Sequence, residues 1–551
     1  MSKSVQWLFI VLVLVLPSVI PAQEWVARYD GPDNGWDGGN AITVDGDGNV
    51  YVTGSSDGVG TLYDYATIKY SSSGIEQWVV RYNGPGNGCD EATAIAVDYA
   101  GNVYVTGYSE GPGTGSDYAT IKYNPSGVMQ WVARYSGPGN MADNAGGIAL
   151  DDSGNVYIAG FSVGLGTGSD YATIKYSNSG VEQWVARYNG PASSHDAAIA
   201  LVLDHTGNVY VAGTSQGSDT DVDYVTVKYN SSGVEQWVAR YNGPANGRDG
   251  ARAMAIDSSG NIYVTGSSVG ISTDNDYATV KYDSLGVEQW VVRYNGPANH
   301  WDDASAIGVD HMGNICVTGR SVDSDLEDDY ATIKYSSSGT EQWVARYDGP
   351  ADSYDDARAM VVDNAGNTYV TGYSIDLATH EDYATVKYSA SGIEQWVARY
   401  NGPLDRCDDA AAITVDNTGY VYVTGWSRGL EIGFDYATVK YSCTGVEEIE
   451  APTEQMQATL TTSPNPFSNS TRIRYSILDT RYLKQTPTIR IYDSGGRLVK
   501  SFDHLSSIEN QVSSISWSGI DDADRKLGSG IYFIELRAGD YVATEKIMLI
   551  R

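Results

Sequence analysis

Cysteine is scarce, with four in 551 residues, and the four do not make a framework. Cys89 and Cys407 stand at equivalent places in a repeat, Cys316 replaces a strand tyrosine, and Cys443 follows the last repeat. None recurs regularly, so the expectation is four free thiols, even in an exported chain where disulfides could form. Basic residues are also few: 35 Lys and Arg face 69 Asp and Glu, giving a net charge of −34 and a sequence pI near 4.3. That balance argues against nucleic acid and anionic membrane surfaces as partners. The six histidines, at 195, 205, 300, 311, 380 and 504, include no pair at metal-ligand spacing, so no zinc site is expected. Gly-x-Ser-x-Gly runs occur only at one repeated position, around Ser56, Ser109, Ser162, Ser215, Ser268 and Ser427, which reads as part of the repeat rather than as a nucleophile, and no phosphate-cradling glycine loop is found, leaving no catalytic motif. Long apolar runs are limited to Leu8–Leu16, shorter than the ~20 residues that span a bilayer, so no transmembrane segment is expected. Behind Lys3 and ahead of Ile20-Pro-Ala22, that run reads as the core of a signal peptide over 1–23 and an exported chain.

What the sequence has in abundance is repetition. Asp64-Tyr-Ala-Thr-Ile-Lys-Tyr70 returns every 53 residues from Asp117 to Asp435, and Trp-Val-Ala/Val-Arg-Tyr returns with the same step from Trp25 to Trp396. Eight units without insertion or deletion mean one supersecondary unit copied and stacked over 24–446. In the second unit, β-branched and aromatic runs predict four short strands: A around Ala94–Val97, B from Val103 to Thr106 with Gly107 ending it, C from Tyr118 to Tyr123, and D from Trp131. Asp98-Tyr-Ala-Gly-Asn102 and Ser126-Gly127 supply the turns. Four antiparallel strands per unit predict propeller blades, with the small strand A at the centre and the bulky strand D at the rim. A lone D strand at Glu24–Tyr29 precedes the first unit and none follows Tyr441, so these ends are expected to pair and close an eight-bladed ring.

The repeated tyrosines and tryptophans read as packing between blades. The three aspartates fixed in each unit, typified by Asp37, Asp45 and Asp64, read as turn caps or as partners of the equally repeated Arg and Lys sets, because catalysis needs a carboxylate once or twice rather than eight times.

The runs Asp-x-x-Gly-Asn-Val-Tyr-Val-Thr-Gly, Asp-Tyr-Ala-Thr-Ile-Lys-Tyr and Gln-Trp-Val-Ala-Arg-Tyr resemble the bacterial beta-propeller repeat family SBBP. That family's name implies seven blades where this chain has eight units, and it implies no single activity. After a polar linker over 447–462, residues 463–551 change character, with Ser463-Pro-Asn-Pro-Phe467, Thr488-Ile-Arg-Ile-Tyr492, Gly530-Ile-Tyr532 and a basic residue near the end. Alternating strands and glycine turns predict a small Ig-like β-sandwich. It resembles the C-terminal sorting domain of type IX secretion substrates, which implies an address read by that machinery and a secreted or cell-surface product.

A–B and C–D turns hardly vary between units, whereas the D–A and B–C segments on the opposite side vary in every unit. Candidate ligand-binding residues follow from that contrast: Trp36, Trp301, Tyr354, Tyr373 and Trp426, all expected in loops, flanked by His195, Arg248 and Arg320. Phe434 and Tyr63 are the aromatics just before the strand-C aspartate. Asp219, Asp221, Asp323 and Asp325 are acidic enough for Ca²⁺ yet lack a full calcium loop, and read as solvated loops with no cofactor implied. The leading expectation is a binding or scaffold protein for an extracellular glycan or protein. One alternative is a glycosidase or lyase acting on polysaccharide, with Glu110, Asp323, Asp376, Glu381 and Glu431 as carboxylates to test. Another is a structural surface-layer component.

Overall fold

A computed structural model describes residues 20–446, except 352, 378–379 and 430–432, and residues 458–551, except 464, 478–487, 503–512, 524 and 539–540. The signal peptide expected over 1–23 thus lies outside the described residues up to 19, and the linker expected over 447–462 does so up to 457. The chain divides into two compact units parted between residues 447 and 448. Among the described residues all regular structure is β, and no helix is long and apolar enough to cross a membrane.

The first unit consists of four-stranded antiparallel sheets, each in the order A, B, C, D. In the second repeat these strands are Asp90–Val97, Val103–Gly111, Gly115–Tyr123 and Met129–Tyr135. Strands A and B are longer than the sequence predicts, and Gly107 does not end strand B. Strand A carries a bulge between Ala92 and Ala94 that presses its backbone onto strand B. A Cβ on Gly107 would stand 2.0 Å from the Glu91 carbonyl oxygen, so glycine marks a close approach inside the strand.

The strand Ile20–Tyr29 pairs antiparallel with Phe434–Val446, with Trp25 opposite Lys440 and Tyr29 opposite Tyr436. It is the fourth strand of the sheet that otherwise holds Asp408–Val415 and Val421–Arg428. Successive sheets share apolar clusters. One joins Tyr51 and Tyr65 of the first sheet to Val103, Ala119 and Ile121 of the second. Another joins Val50, Val52 and Ile68 of the first sheet to Tyr422 and Tyr436 of the last. The Tyr65 hydroxyl donates 3.1 Å to the Ala119 carbonyl, and the Trp78 indole N–H donates 3.1 Å to the Pro125 carbonyl, both one sheet onward. Gly127, at φ +78, turns strand C into D and lies against the Trp78 ring, where a Cβ would clash. Gly74 meets the Trp25 ring in the same way.

The second unit has a three-stranded sheet of Ala458–Ser463, Thr471–Ile477 and Ser513–Trp517, and a four-stranded sheet of Leu498–Phe502, Thr488–Asp493, Gly530–Ala538 and Tyr541–Leu549. Both contribute to one core containing Ile473, Trp517, Ile489, Ile534 and Leu549. Asn465 ties the Pro-Asn-Pro-Phe opening to the terminal strand: its side chain donates 2.7 Å to the Lys546 carbonyl and accepts 3.0 Å from the Met548 N–H.

Candidate functional site

The residues that recur are occupied within the fold. Asp45 Oδ1 accepts from the N–H groups of Asp47 and Asn49, while Oδ2 takes the Tyr51 hydroxyl at 2.9 Å. Those hydrogen bonds hold its carboxyl below the usual range against the burial that would raise it. Asp37 accepts from the Gly31 N–H at 2.8 Å and is fully buried, and that burial pushes its carboxyl up to about 6. Asp64 takes Arg81 at 2.9 Å, and Arg81 also reaches Ser56, the Asp57 carbonyl and Tyr29 of the sheet before. The repeated lysines mostly lie over tyrosine rings, as Lys69 does 5.0 Å from the Tyr51 centroid, rather than pairing with aspartate. In the sixth sheet, where Cys316 replaces the tyrosine, Lys334 pairs with Asp310 at 3.0 Å instead. Cys89, Cys316 and Cys407 are free thiols, and burial raises Cys316 to about 11.

The residues singled out from sequence fall in several different places. Trp36 is 40% exposed and packs on Phe434 at 4.6 Å and Trp426 at 5.6 Å between ring centroids, where the first sheet meets the last. The Phe434 N–H donates to the Gly35 carbonyl at 3.1 Å, and the Arg428 guanidinium covers the Phe434 ring. Trp301 and Tyr354, 49% and 51% exposed, stand just ahead of the A strands of sheets six and seven. Among the described residues no ring contact links them to the Trp36 trio. Trp426, Tyr373 and Arg320 lie inside B strands, Val421–Arg428, Thr368–Ile375 and Ile315–Val322, and not in the loops the sequence suggested. The cause is again the lengthening of strand B past its glycine. His195 and Arg248 are exposed loop residues ahead of strands A four and five, with His195 Nδ1 3.2 Å from the Ser169 hydroxyl.

A further group was missed from sequence. Asp303, Asp356 and Asp409 occupy one repeat position in three consecutive sheets, where the other units have Gly38, Glu91, Asn144, Ala197 and Gly250. Their strand-B partners in register are Arg320, Tyr373 and Trp426. Arg320 pairs with Asp303 at 3.1 Å and with Asp328 at 3.5 Å. Arg358 binds Asp409 at 2.9 Å, stands 3.6 Å from Asp356, and covers the Tyr373 ring at 5.3 Å. Asp409 is 2% exposed, and burial, aided by Asp356 and Glu381, pushes its carboxyl up to about 7 against the pull of Arg358. The visible signal was the Asp-Asp pairs at 302–303, 355–356 and 408–409, whose first members are fixed by the repeat and whose second members are not.

Of the carboxylates proposed from sequence, Glu381 lies close enough to Asp409 and Cys407 to raise both. Asp323 caps its own turn by accepting from the Asp325 N–H, Asp376 lies 3.9 Å from Arg399, and Glu431 is outside the described residues. Asp219, Asp221, Asp323 and Asp325 do not converge. Among the described residues the acidic groups that do are Asp329, Asp348 and Asp355, with ligand atoms within 4.8 Å of one another. A cavity of about 760 Å³ opens instead on the side of the A–B turns, lined by Asp45, Asp98, Tyr99, Asp151 and Lys69.

Known proteins give this arrangement a family. The beta-propeller repeat model SBBP matches residues 37–60, 77–113 and 236–271, and the model of the secretion system C-terminal sorting domain matches 463–550. The chain is a β-propeller of the SBBP repeat kind that carries a type IX secretion sorting tail. No curated protein sequence matches it. Solved structures resemble it only loosely. PorZ, an essential surface component of the type IX secretion system of Porphyromonas gingivalis, is 14% identical over 93% of this chain and 74% of its own, with a TM-score of 0.32. The α-L-arabinofuranosidase Arb93A of Fusarium graminearum is 9% identical over 63% of this chain and 91% of its own, with a TM-score of 0.33. The Synechocystis apocarotenoid oxygenase is 10% identical over 74% of this chain and 89% of its own, with a TM-score of 0.34. Likenesses this loose carry no functional weight.

Proposed function

We propose that the chain is a secreted or cell-surface binding or scaffold protein, an eight-bladed propeller over 24–446 closed by its first strand. It engages an extracellular glycan or protein through the side that carries the D–A and B–C segments. Residues 463–551, an Ig-like sandwich, are its address to the type IX machinery. Closure is supported by the pairing of Trp25–Tyr29 with the last sheet and by the cluster shared between Val50, Val52, Tyr422 and Tyr436. The observation that carries the binding side is one repeat position at which large rings stay exposed in three units, whereas on the A–B turn side a single ring, Tyr99, is exposed among the described residues. Trp36, Trp301 and Tyr354 are 40%, 49% and 51% exposed at one repeat position, while the repeated tyrosines of strands B and C are buried. Trp301 and Tyr354, left in water at equivalent positions of two neighbouring blades, suit stacking on a ligand. The test is to print glycans and peptides on arrays and probe them with the full mature chain. Saturable binding weakened by Trp301→Ala and Tyr354→Ala at unchanged melting supports the reading, and binding indifferent to both substitutions contradicts it.

A further inference from the structure

The two outer faces of the tail differ. Among its described residues the large apolar side chains left exposed are Leu498, Phe533, Met548 and Ile550, at 45%, 37%, 38% and 51%. Side chains alternate across a strand, and the neighbours Val499, Tyr532, Ile534, Ile547 and Leu549 are buried in the sandwich core. Leu498, Phe533 and Met548 therefore point away from that core, and Ile550 is next in the same alternation.

The strand register gathers them. Leu498 pairs with Tyr492, Tyr492 with Phe533, and Phe533 with Lys546, which makes one row across all four strands. Ile531 pairs with Met548 in the row beside it. Directly opposed residues lie about 5 Å apart, so the two rows form one apolar band. The three-stranded sheet turns out Arg472, Arg474 and Ser516 instead, all polar and exposed. An apolar band confined to one outer face of a small sandwich marks a contact surface.

Charge and shape narrow the occupant. Residues 463–551 hold 12 Lys and Arg against 10 Asp and Glu, whereas the rest of the chain holds 23 against 59. On the banded face Arg490, Arg537 and Lys546 outnumber Glu535, which Arg537 reaches at 3.5 Å. A second copy laid on this face would set cations against cations. A lipid surface calls for side chains that project into it, whereas Phe533 and Met548 lie mostly against the sheet. A flat band bordered by cations fits a flat apolar protein surface rimmed by carboxylates.

We propose that the outer face of the four-stranded sheet, centred on Phe533 and Met548, is the surface by which a protein of the type IX machinery holds the tail. The partner presents an apolar patch whose bordering carboxylates meet Lys546 and Arg490. This deepens the address reading of 463–551 and rests on it.

The test follows the full chain in cells of a host with a type IX system. One variant carries Phe533→Gln with Met548→Gln on the band, and a second carries Arg472→Gln with Arg474→Gln on the opposite face. A chain lacking 463–551 runs beside them. Surface-exposed propeller should fall at least tenfold in the band pair, at unchanged melting of the purified chain, and less than twofold in the arginine pair. If the band pair lowers melting, Leu498→Gln with Lys546→Glu replaces it with the same expectation. The photocrosslinker p-benzoylphenylalanine at position 533 identifies the occupant. Its expected adduct is with a protein of the secretion machinery, and the same group at position 474 should give none. Normal display of the band variants, with display lost in the chain lacking 463–551, overturns this face and leaves the address standing. Display kept without 463–551 overturns the address and this inference together. Adducts at 533 with lipid or a second copy alone, or no adduct, overturn the assignment to a protein partner.

Discussion

At the scale of single residues, departures from the repeat are the informative positions, and Cys316 shows how. Elsewhere a strand-B tyrosine gives its hydroxyl to the turn aspartate and its ring to the lysine, as Tyr51 does for Asp45 and Lys69. With Cys316 there, Thr368 donates to its sulfur at 3.2 Å and Lys334 drops onto Asp310. The pair Cys316→Tyr with Thr368→Val restores the arrangement of the other sheets. It should melt above the natural protein, while Cys316→Tyr alone gains about 1 kcal/mol less because the Thr368 hydroxyl stays buried without its partner. Equal melting of single and double variants would show that the two residues are not coupled. The buried caps set the response to pH. Asp37, Asp302 and Asp355 have carboxyls pushed up to about 6 by burial, so the folded state binds their protons more tightly than the unfolded chain. Their contribution is greatest below the unfolded carboxylate range and is lost as pH rises through about 6. The turn aspartates, such as Asp45 and Asp257, are shifted down and act oppositely, losing their contribution as pH falls below about 4. Melting temperature should therefore rise from pH 7.5 to about 5 and fall again below about 4. A monotonic fall from pH 7.5 downward would contradict these assignments.

At the scale of strands and turns, most of the architecture was legible. Trp-Val-Ala-Arg-Tyr and Asp-Tyr-Ala-Thr-Ile-Lys-Tyr carry the β-branched and aromatic alternation that forms strands, and the lone first D strand pairs where its counterpart is missing. Strand ends were less legible. Bulges such as those at Ala304–Ala306, Ala357–Ala359 and Ala410–Ala412 depend on backbone approach across two strands, which no local pattern encodes, and beyond them Arg320, Tyr373 and Trp426 still pair in strands rather than lying in loops. The row of Asp303, Asp356 and Asp409 escaped notice for a related reason. Each follows a repeated aspartate that has a structural use, and only their register beside Arg320 and Arg358 sets them apart. Two predictions belong here. Arg81→Ala leaves Asp64 buried without its cation and unties Tyr29 from Ser56, and should cost about 3 kcal/mol in denaturant unfolding. A cost under about 0.5 kcal/mol would show that the arginine is a surface ornament. Removing 24–29 opens an edge on the last sheet and strips the Trp25 and Tyr29 rings from their clusters, and should lower melting by roughly 5 °C or more. Unchanged melting would mean that the strand does not close the ring.

At the scale of the whole molecule, two units divide the work. The repeats spend their fixed residues on packing within and between sheets, which leaves the unfixed positions of one side open to a partner. The tail has its own core, and Asn465 and the Arg551 side chain bind its first motif and its last residue back onto the sandwich. The match of 463–550 to a secretion system C-terminal sorting domain gives that unit the role of an address. The central claim is that this protein works outside the cell and is delivered there by its tail. The direct measurement is protease accessibility of the propeller on intact cells of a host with a type IX system, comparing the full chain with one lacking 463–551. Surface exposure of the full chain, and protease-protected folded propeller in the periplasm for the shortened one, is the predicted result. Equal surface exposure of both would contradict the account.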